Sequence, residues 1–289
     1  MTYDVVIFGI HLTLNPVAFR LPIGPNGWNI YWYGVIIALG FCLAIFYGMR
    51  NSERLGITPD KMIDVVLIVT PIAVLCARTY YVLFDGVKCE SIGDFFGFSS
   101  SSGVAGIAIP GGIIGAFTSA VIVCKIFKMK FTDMFDLAAL GFLIGQGVGR
   151  WGNFINQEAY GSFTGSDFWG MQSQKTVLEM GEGLVHPCFL YESIWCILGF
   201  VIIHNLSKKR KFSGEVFLMY CAWYGFGRGC IEILRTDSLM LGGVKVSCLL
   251  CFVACAVSVA LITYIRKKIK EASVEYTAVF GENMENEND

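Results

Sequence analysis

Charged residues are scarce in this chain of 289 residues: they make up 16% of it, against 55% hydrophobic residues. Soluble domains carry about a quarter charged residues, and the mean hydropathy here is +0.60. The composition therefore excludes an ordinary soluble domain and favours a polytopic membrane protein. The net charge of −1 says little, because the sign of the charge varies strongly along the chain.

Other familiar signals are missing too. The first twenty residues have no basic segment and carry Asp4 early, so we expect no cleaved signal peptide. The eleven cysteines lie mostly inside apolar runs, and no zinc-type cluster stands out among them. We therefore expect no metal, no cofactor and no disulfide framework, and we do not expect nucleic acid as a partner.

Seven segments are long and apolar enough to span a bilayer, each near the ~20 residues that a membrane helix needs. They are residues 30–49, 62–84, 107–127, 133–150, 188–206, 214–234 and 246–265. Backbone groups cannot bond to water inside a bilayer, so these segments are predicted as helices that pack together. The predicted fold class is all-α, a polytopic integral membrane protein with about seven transmembrane helices.

Lys and Arg are distributed unevenly between the two sets of loops. One side holds fourteen: Arg50, Arg54, Lys61, Lys125, Lys128, Lys130, Lys208, Lys209, Arg210, Lys211, Arg266, Lys267, Lys268 and Lys270. The other side holds six: Arg20, Lys88, Arg150, Lys175, Arg235 and Lys245. Because positively charged loops stay in the cytoplasm, the N-terminus is predicted outside and the C-terminus in the cytoplasm.

This topology divides the chain into three parts. Residues 1–29 are predicted to form an extracytoplasmic N-terminal segment, and residues 30–265 the seven-helix transmembrane domain. Within that domain, an extracytoplasmic loop region covers about 151–187 and has no strong periodicity. Residues 266–289 form a cytoplasmic tail, whose acidic, polar end from Glu271 is predicted to be disordered.

The segment 145–161 places several polar groups at the end of an apolar, glycine-rich helix. These groups belong to Arg150, Asn153, Asn156 and Glu158. Hydrocarbon penalises each of them unless it is paired or wetted. The pattern indicates a site for a polar or anionic ligand at the edge of the membrane.

Glycine recurs every four residues along the helix that ends in this segment, at Gly141, Gly145 and Gly149. One face of the helix therefore has no side chains. A bare face permits either close contact with another helix or room for a lipid chain.

Arg78 and Arg228 lie inside predicted helices, where a charged side chain is costly. Tyr224, Glu232 and Arg235 share a helix face with Arg228. Glu232 can pair with either Arg228 or Arg235. One interpretation is a buried ion-pair network that fixes packing. The other is a pocket for a phosphate-bearing headgroup, because the planar fork of arginine suits phosphate oxygens.

The residues at two helix starts on the predicted outer side each allow two interpretations. His186 precedes Pro187 and is either a proton-transfer group or, as we favour, a cap or loop hydrogen-bonding group. Pro110 precedes Gly111 and Gly112, whose backbone either meets an anion or simply starts a helix.

Five blocks of the sequence, between about Ile30 and Ile265, resemble the prolipoprotein diacylglyceryl transferase family. The blocks are Trp32-Tyr33-Gly34, Ala77-Arg78 with Tyr81 to Phe84, Gly149 to Gly161, His186-Pro187 with Leu190-Tyr191-Glu192, and Tyr224-Gly225 with Arg228, Glu232 and Arg235. Their order and the predicted topology match the family.

The resemblance implies the reaction. A bacterial inner-membrane transferase moves the diacylglyceryl group of phosphatidylglycerol onto the thiol of the lipobox cysteine of a preprolipoprotein. Glycerol 1-phosphate is released, and this is the first step of lipoprotein maturation. The implied partners are phosphatidylglycerol, preprolipoprotein signal peptides with a lipobox cysteine, and the lipid bilayer.

The resemblance also implies roles for single residues. Arg150 and Arg228 are the first catalytic candidates, since the leaving phosphate needs cationic stabilisation. Tyr224 is the catalytic candidate for assisting thiol deprotonation or positioning the lipid. Asparagines would bond to the headgroup or the acceptor peptide, and glutamates would orient an arginine. The full set of substrate-binding candidates is Tyr33, Arg78, Asn153, Asn156, Glu158, Gly161, Glu232 and Arg235.

One departure from the family concerns catalysis. Many members have a His implicated in catalysis before the Gly-Gly of the third helix, and others have Tyr. This chain has Pro110, which neither accepts nor donates a proton. Base catalysis is therefore expected to be weak here, or to come from Tyr224 or solvent.

Two other classes of membrane protein fit the sequence less well than the transferase. A retinal-type seven-helix receptor needs a Lys midway along its last helix, but Lys245 lies at the start of that helix and none follows up to Ile265. A small-solute transporter is expected to show internal repeats, and none is visible.

Overall fold

The structure, a computed structural model, describes residues 2–22, 27–84, 95, 106, 108–236, 240–241 and 244–285. Lys88, which entered the charge count, lies outside these residues. The chain forms two compact units. The larger unit contains Met1–Ala44 and Ala138–Asp289, and the smaller unit contains Ile45–Leu137.

The described part of the chain is mostly helical, as predicted. The helices are α1 (Trp32–Asn51), α2 (Pro59–Phe84), α3 (Ile109–Ile126), α4 (Phe131–Ile155), the short α5 (Gln174–Met180), α6 (Cys188–Ser207), α7 (Glu215–Leu234) and α8 (Val246–Glu285). Each of the seven predicted apolar segments coincides with one long helix.

Six of the described helices are long and apolar enough to cross a membrane, namely α1, α2, α3, α4, α6 and α8. Helix α7 is as long as α6, with 20 residues, but it carries Glu215, Arg228 and Glu232 within that length. The multi-pass character is therefore confirmed, and the count of seven spans stays a prediction.

Short strands correct the predicted all-α class, and two residues of the first predicted span, Ile30 and Tyr31, belong to a strand. The strands are β1 (Tyr3–Ile7), β2 (Ile10–Leu14), β3 (Val17–Leu21), β4 (Trp28–Tyr31), β5 (Met171–Ser173), β6 (Met240–Leu241) and β7 (Val244–Lys245). They form three antiparallel sheets, β2-β1-β5, β3-β4 and β6-β7. The turn at Phe8 and Gly9, with φ of 50° and 76°, suits a two-residue hairpin.

Helix α8 continues to Glu285, so the disorder expected from Glu271 onwards is wrong as far as that residue. Two basic side chains one turn before Glu271 stabilise the helix there. The Nζ atoms of Lys267 and Lys268 lie 3.8 and 3.4 Å from its carboxylate. Pairs of this kind support a helix locally.

In the smaller unit, helices α2 and α3 pack closely through glycines at the start of α3. A Cβ on Gly111 would lie 2.4 Å from the Tyr80 Cβ, and one on Gly115 would lie 2.5 Å from the Cys76 Cβ. Pro110 occupies the first turn of α3. The N–H of Gly112 already donates to the Ala108 carbonyl, at 3.2 Å. The contacts support a plain helix start over an anion site.

In the larger unit, the glycine face of α4 lies against α1. A Cβ on Gly40 would lie 3.3 Å from the Gly145 carbonyl oxygen, and one on Gly149 would lie 3.1 Å from Cδ1 of Ile37. The glycine face therefore makes close helix contact, which is one of the two uses predicted for it.

Helices α6 and α7 are joined by two tryptophans that bond to each other. The indole N–H of Trp195 donates to the Trp223 carbonyl, and that of Trp223 donates to the Trp195 carbonyl, both at 2.9 Å. Their rings stack with centroids 4.3 Å apart. Each indole also covers a glycine of the facing helix, Gly227 for Trp195 and Gly199 for Trp223.

We expect Gly227→Ala to lower stability by about 1–3 kcal/mol, the usual cost of overpacking. The new Cβ would lie 2.0 Å from Nε1 of Trp195, whose indole is held by its hydrogen bond and by stacking. Gly145→Ala is the matched control, because no atom lies within 4 Å of that Cβ. Thermal unfolding of both variants in detergent measures the difference, and equal melting temperatures would contradict it.

Candidate functional site

The centre of the site is a buried carboxylate, Glu192 of α6, which is 1% exposed. It accepts hydrogen bonds from three side chains on two other helices. Arg150 of α4 donates through Nη2. Arg228 of α7 donates through Nη1 at 2.8 Å, and the Tyr224 hydroxyl donates at 2.9 Å. One negative charge therefore holds two guanidinium groups from two helices.

Both arginines have further partners. Nη2 of Arg228 lies 2.7 Å from the carboxylate of Glu232, one turn along α7. Nη1 of Arg150 donates to the Asn153 side chain at 3.3 Å. The Asn153 amide in turn donates to Glu158 at 3.4 Å. The contacts form one continuous network from α7 to the loop after α4.

That loop is held in a fixed shape by its own backbone and one buried amide. Gln157 and Ala159 have positive φ angles, 55° and 57°. The N–H of Glu158 donates to the Asn153 carbonyl at 2.8 Å. The side chain of Gln157 is 3% exposed and accepts from the Lys175 N–H at 3.0 Å. The loop therefore presents Glu158 at a defined position.

A cleft of about 860 Å³ opens beside this loop. Asn156, Gln157 and Glu158 line one side of it, and Tyr33 with strand β4 lines another. Its walls are mainly aromatic and apolar, with a few polar groups among them. Such a mixture is typical of ligand sites.

The structure thus brings six predicted side chains into one network: Arg150, Asn153, Glu158, Tyr224, Arg228 and Glu232. Two more, Tyr33 and Asn156, line the adjacent cleft. Gly161 belongs to neither set and packs against the end of α7, where a Cβ on it would lie 2.7 Å from the Leu234 carbonyl oxygen.

Comparison with known proteins identifies the family. The sequence model of prolipoprotein diacylglyceryl transferases matches residues 16–264. The chain belongs to this family. The phosphatidylglycerol–prolipoprotein diacylglyceryl transferase of Bacillus licheniformis is 39% identical over 264 residues, covering 89% of this chain and 95% of that protein.

Two further relatives carry the same name. The Bacillus velezensis protein is 41% identical over 239 residues, 79% of this chain and 83% of its own length. The Bacillus cytotoxicus protein is 38% identical over 267 residues, 91% of this chain and 96% of its own length. These likenesses favour the transferase over the receptor and the transporter.

Glu192 was missed as a site residue, although it belongs to a sequence block that resembles the prolipoprotein diacylglyceryl transferase family. The available signal was a carboxylate inside a predominantly apolar helix, because an ionisable residue within a membrane segment usually belongs to a functional site. Glu158, which was expected to orient an arginine, contacts Arg150 only through Asn153, whose side chain accepts from Arg150 and donates to Glu158.

Gln146 and Tyr220 were also missed. Gln146 donates to the Tyr220 hydroxyl at 2.9 Å, and the Tyr220 ring stacks on Tyr224 with centroids 5.7 Å apart. A second polar pair, Gln146 and Tyr220, therefore packs against Tyr224, the tyrosine that donates to Glu192.

Two predicted residues remain, Arg235 and Arg78. The N–H of Arg235 donates to the Glu232 carbonyl at 3.3 Å. Arg235 accepts at its carbonyl from Nζ of Lys245, at 2.5 Å. Arg78 belongs to the smaller unit, where it is 6% exposed and donates to the carbonyls of Phe95 and Gly106 at 2.6 and 2.7 Å.

His186 makes the loop hydrogen bond that we favoured. Its Nδ1 lies 3.2 Å from the hydroxyl of Tyr191. That hydroxyl also accepts from the indole N–H of Trp169, at 2.8 Å. His186 is therefore part of an aromatic cluster that connects the loop after α4 to the first turn of α6.

Proposed function

We propose that this chain transfers the diacylglyceryl group of phosphatidylglycerol to the thiol of the lipobox cysteine in prolipoproteins. The observation that carries the proposal is the pair of guanidinium groups, Arg150 and Arg228, held by one buried carboxylate, Glu192. A phosphate-bearing substrate needs cations at such a place, and the relatives' shared name specifies such a substrate.

The proposed step is a displacement at carbon. The sulfur of the cysteine thiolate forms a bond to the glyceryl carbon that carries the phosphodiester oxygen. The bond between that carbon and the oxygen breaks, and glycerol 1-phosphate leaves with the electron pair. The thiol proton goes to solvent, so the atoms and charges balance without a cofactor.

Arg150 and Arg228 are the proposed catalytic residues. Each guanidinium has five N–H donors, and the described contacts use only some of them. The remaining donors are available to the phosphate oxygens that gain charge as the bond breaks. Because Glu192 and Glu232 fix both forks beforehand, little reorganisation accompanies the reaction.

Tyr224 is proposed as a positioning residue. Its hydroxyl donates to Glu192, so its proton is already engaged by a carboxylate. This arrangement favours solvent as the acceptor of the thiol proton, which is consistent with Pro110 at the position where other members have His. Nearby guanidinium groups favour the thiolate over the thiol.

The proposed topology has seven spans, with α7 crossing the cytoplasmic membrane, the N-terminus outside and the C-terminus inside. The charges of α7 support this, since they are paired within the protein. Arg228 pairs with Glu192 and Glu232, and the fully buried Glu215 pairs with Arg266 of α8. Paired charges that face the bundle interior are tolerated in membranes.

The test is mass spectrometry of a synthetic lipobox peptide incubated with the purified protein and phosphatidylglycerol in detergent. We expect a mass gain of one diacylglyceryl group. The matched control peptide has serine in place of the cysteine and should gain nothing. If folded protein leaves the cysteine peptide unmodified, the proposal fails.

A further inference from the structure

The cleft beside the loop after α4 runs along the edge of strand β4 and not across its face. All four residues of the strand, Trp28 to Tyr31, line the cleft. Successive side chains of a strand point to opposite faces, so a cleft on one face would be lined by alternate residues. Strand β3, which pairs with β4 on its other side, contributes no lining residue.

The edge of β4 that faces the cleft has room for another strand. Among the described residues, β4 pairs only with β3. The second edge of a two-stranded sheet presents N–H and C=O groups at alternate residues, and such an edge is a template for an added strand. Binding by strand addition uses main-chain hydrogen bonds, so it accepts many side-chain sequences.

One residue, Glu158, belongs to both the cleft and the arginine network. Glu158 lines the cleft and accepts from Asn153, which accepts from Arg150. Because the cleft adjoins the network at Glu158, the residues next to a cysteine that reacts beside Arg150 come close to the cleft. The cleft combines its apolar walls with polar groups from Asn156, Glu158 and Lys175, and this mixture suits a peptide, whereas an acyl chain would leave those polar groups without partners.

We propose that β4 binds the acceptor protein by strand addition. The residues that follow the lipobox cysteine would lie extended in the cleft and pair with the backbone of β4. This inference rests on the proposed function, and it assigns the acceptor peptide, not phosphatidylglycerol, to the cleft. The four residues of β4 span about 13 Å, so about four residues of the peptide pair with them.

The first test replaces single backbone amides of the lipobox peptide by esters, at successive positions after the cysteine. Each ester removes one N–H donor and leaves the side chain unchanged. We expect KM for the peptide to rise about 3- to 10-fold at alternate positions, as for one lost hydrogen bond. The intervening positions serve as controls. No rise at any position, or an equal rise at all of them, would overturn the proposal.

The second test fills the cleft from the enzyme side. Gly34, in the first turn of α1, lines the cleft, and no atom lies within 4 Å of its Cβ position. We expect Gly34→Trp to raise KM for the peptide by about tenfold or more, since several hydrogen bonds are lost together, with KM for phosphatidylglycerol unchanged. Leu39→Trp is the control, because Leu39 lies on the same helix, is 53% exposed and is not part of the cleft.

The outcomes separate this inference from the proposed function. Transfer by the wild-type protein to the unmodified peptide is measured first, and its absence would contradict the function itself. With wild-type transfer established, a Gly34→Trp variant that raises KM for phosphatidylglycerol instead would place the lipid in the cleft and overturn the inference. An unchanged KM for the peptide would overturn it equally.

Discussion

Glu192→Gln is expected to lower kcat/KM for diacylglyceryl transfer by at least about 100-fold, the scale of losing a preorganised charge contact in an active site. The amide keeps the size of the side chain but removes the charge that holds Arg150 and Arg228. One amide offers one acceptor oxygen to two guanidinium groups and a phenol. At least one arginine then leaves its position.

The same substitution should also lower stability, because breaking a buried ion pair costs about 3–5 kcal/mol. Activity is therefore compared with the melting temperature of each purified variant. Glu192→Asp retains the charge with a shorter reach and should lose less activity than Gln. The matched control is Glu53→Gln, an exposed glutamate in the short turn Ser52–Leu55. Full activity in a folded Gln variant would contradict the role given to Glu192.

Arg228→Lys is expected to reduce kcat by about 10²–10³-fold, like removal of one oxyanion-stabilising donor. Arg228 contacts Glu192 and Glu232 through its two Nη atoms at once. A lysine ammonium is a single point charge, so it cannot bridge both carboxylates and still contact a phosphate. The same loss is expected for Arg150→Lys.

This substitution also decides between the two interpretations of the buried charges. If the network only fixes packing, lysine retains an ion pair and turnover stays near that of the wild type. If it binds phosphate, the variant also loses inhibition by glycerol 1-phosphate, the expected product. Arg54→Lys, at an exposed position outside the network, is the matched control. Undiminished turnover in a folded Arg228→Lys protein would contradict the phosphate role.

The sequence predicted the helices well because their cause is local. An apolar run of about 20 residues in a bilayer satisfies its backbone only as a helix, so each long helix coincides with one predicted segment. The strands of the N-terminal segment were not predicted. Ile10–Leu14 alternates in a way that suits a strand, but each strand exists only through pairing with another segment.

Strand β5 illustrates the same limit. It pairs with β1, more than 160 residues earlier in the chain, through contacts such as Val5 with Ser173. No local pattern in three residues specifies such a partner. The cleft beside β4 likewise combines residues from the N-terminal segment, the loop after α4 and the start of α5.

For the site, the sequence by itself determined which polar groups stand where hydrocarbon penalises them, because a buried charge is conspicuous in an apolar run. Together with the family resemblance, that selected Arg150 and Arg228. Only the tertiary structure decided their partner, Glu192, which lies 42 residues from one arginine and 36 from the other. Ion pairing depends on distance in space, and the packing of α4, α6 and α7 sets that distance.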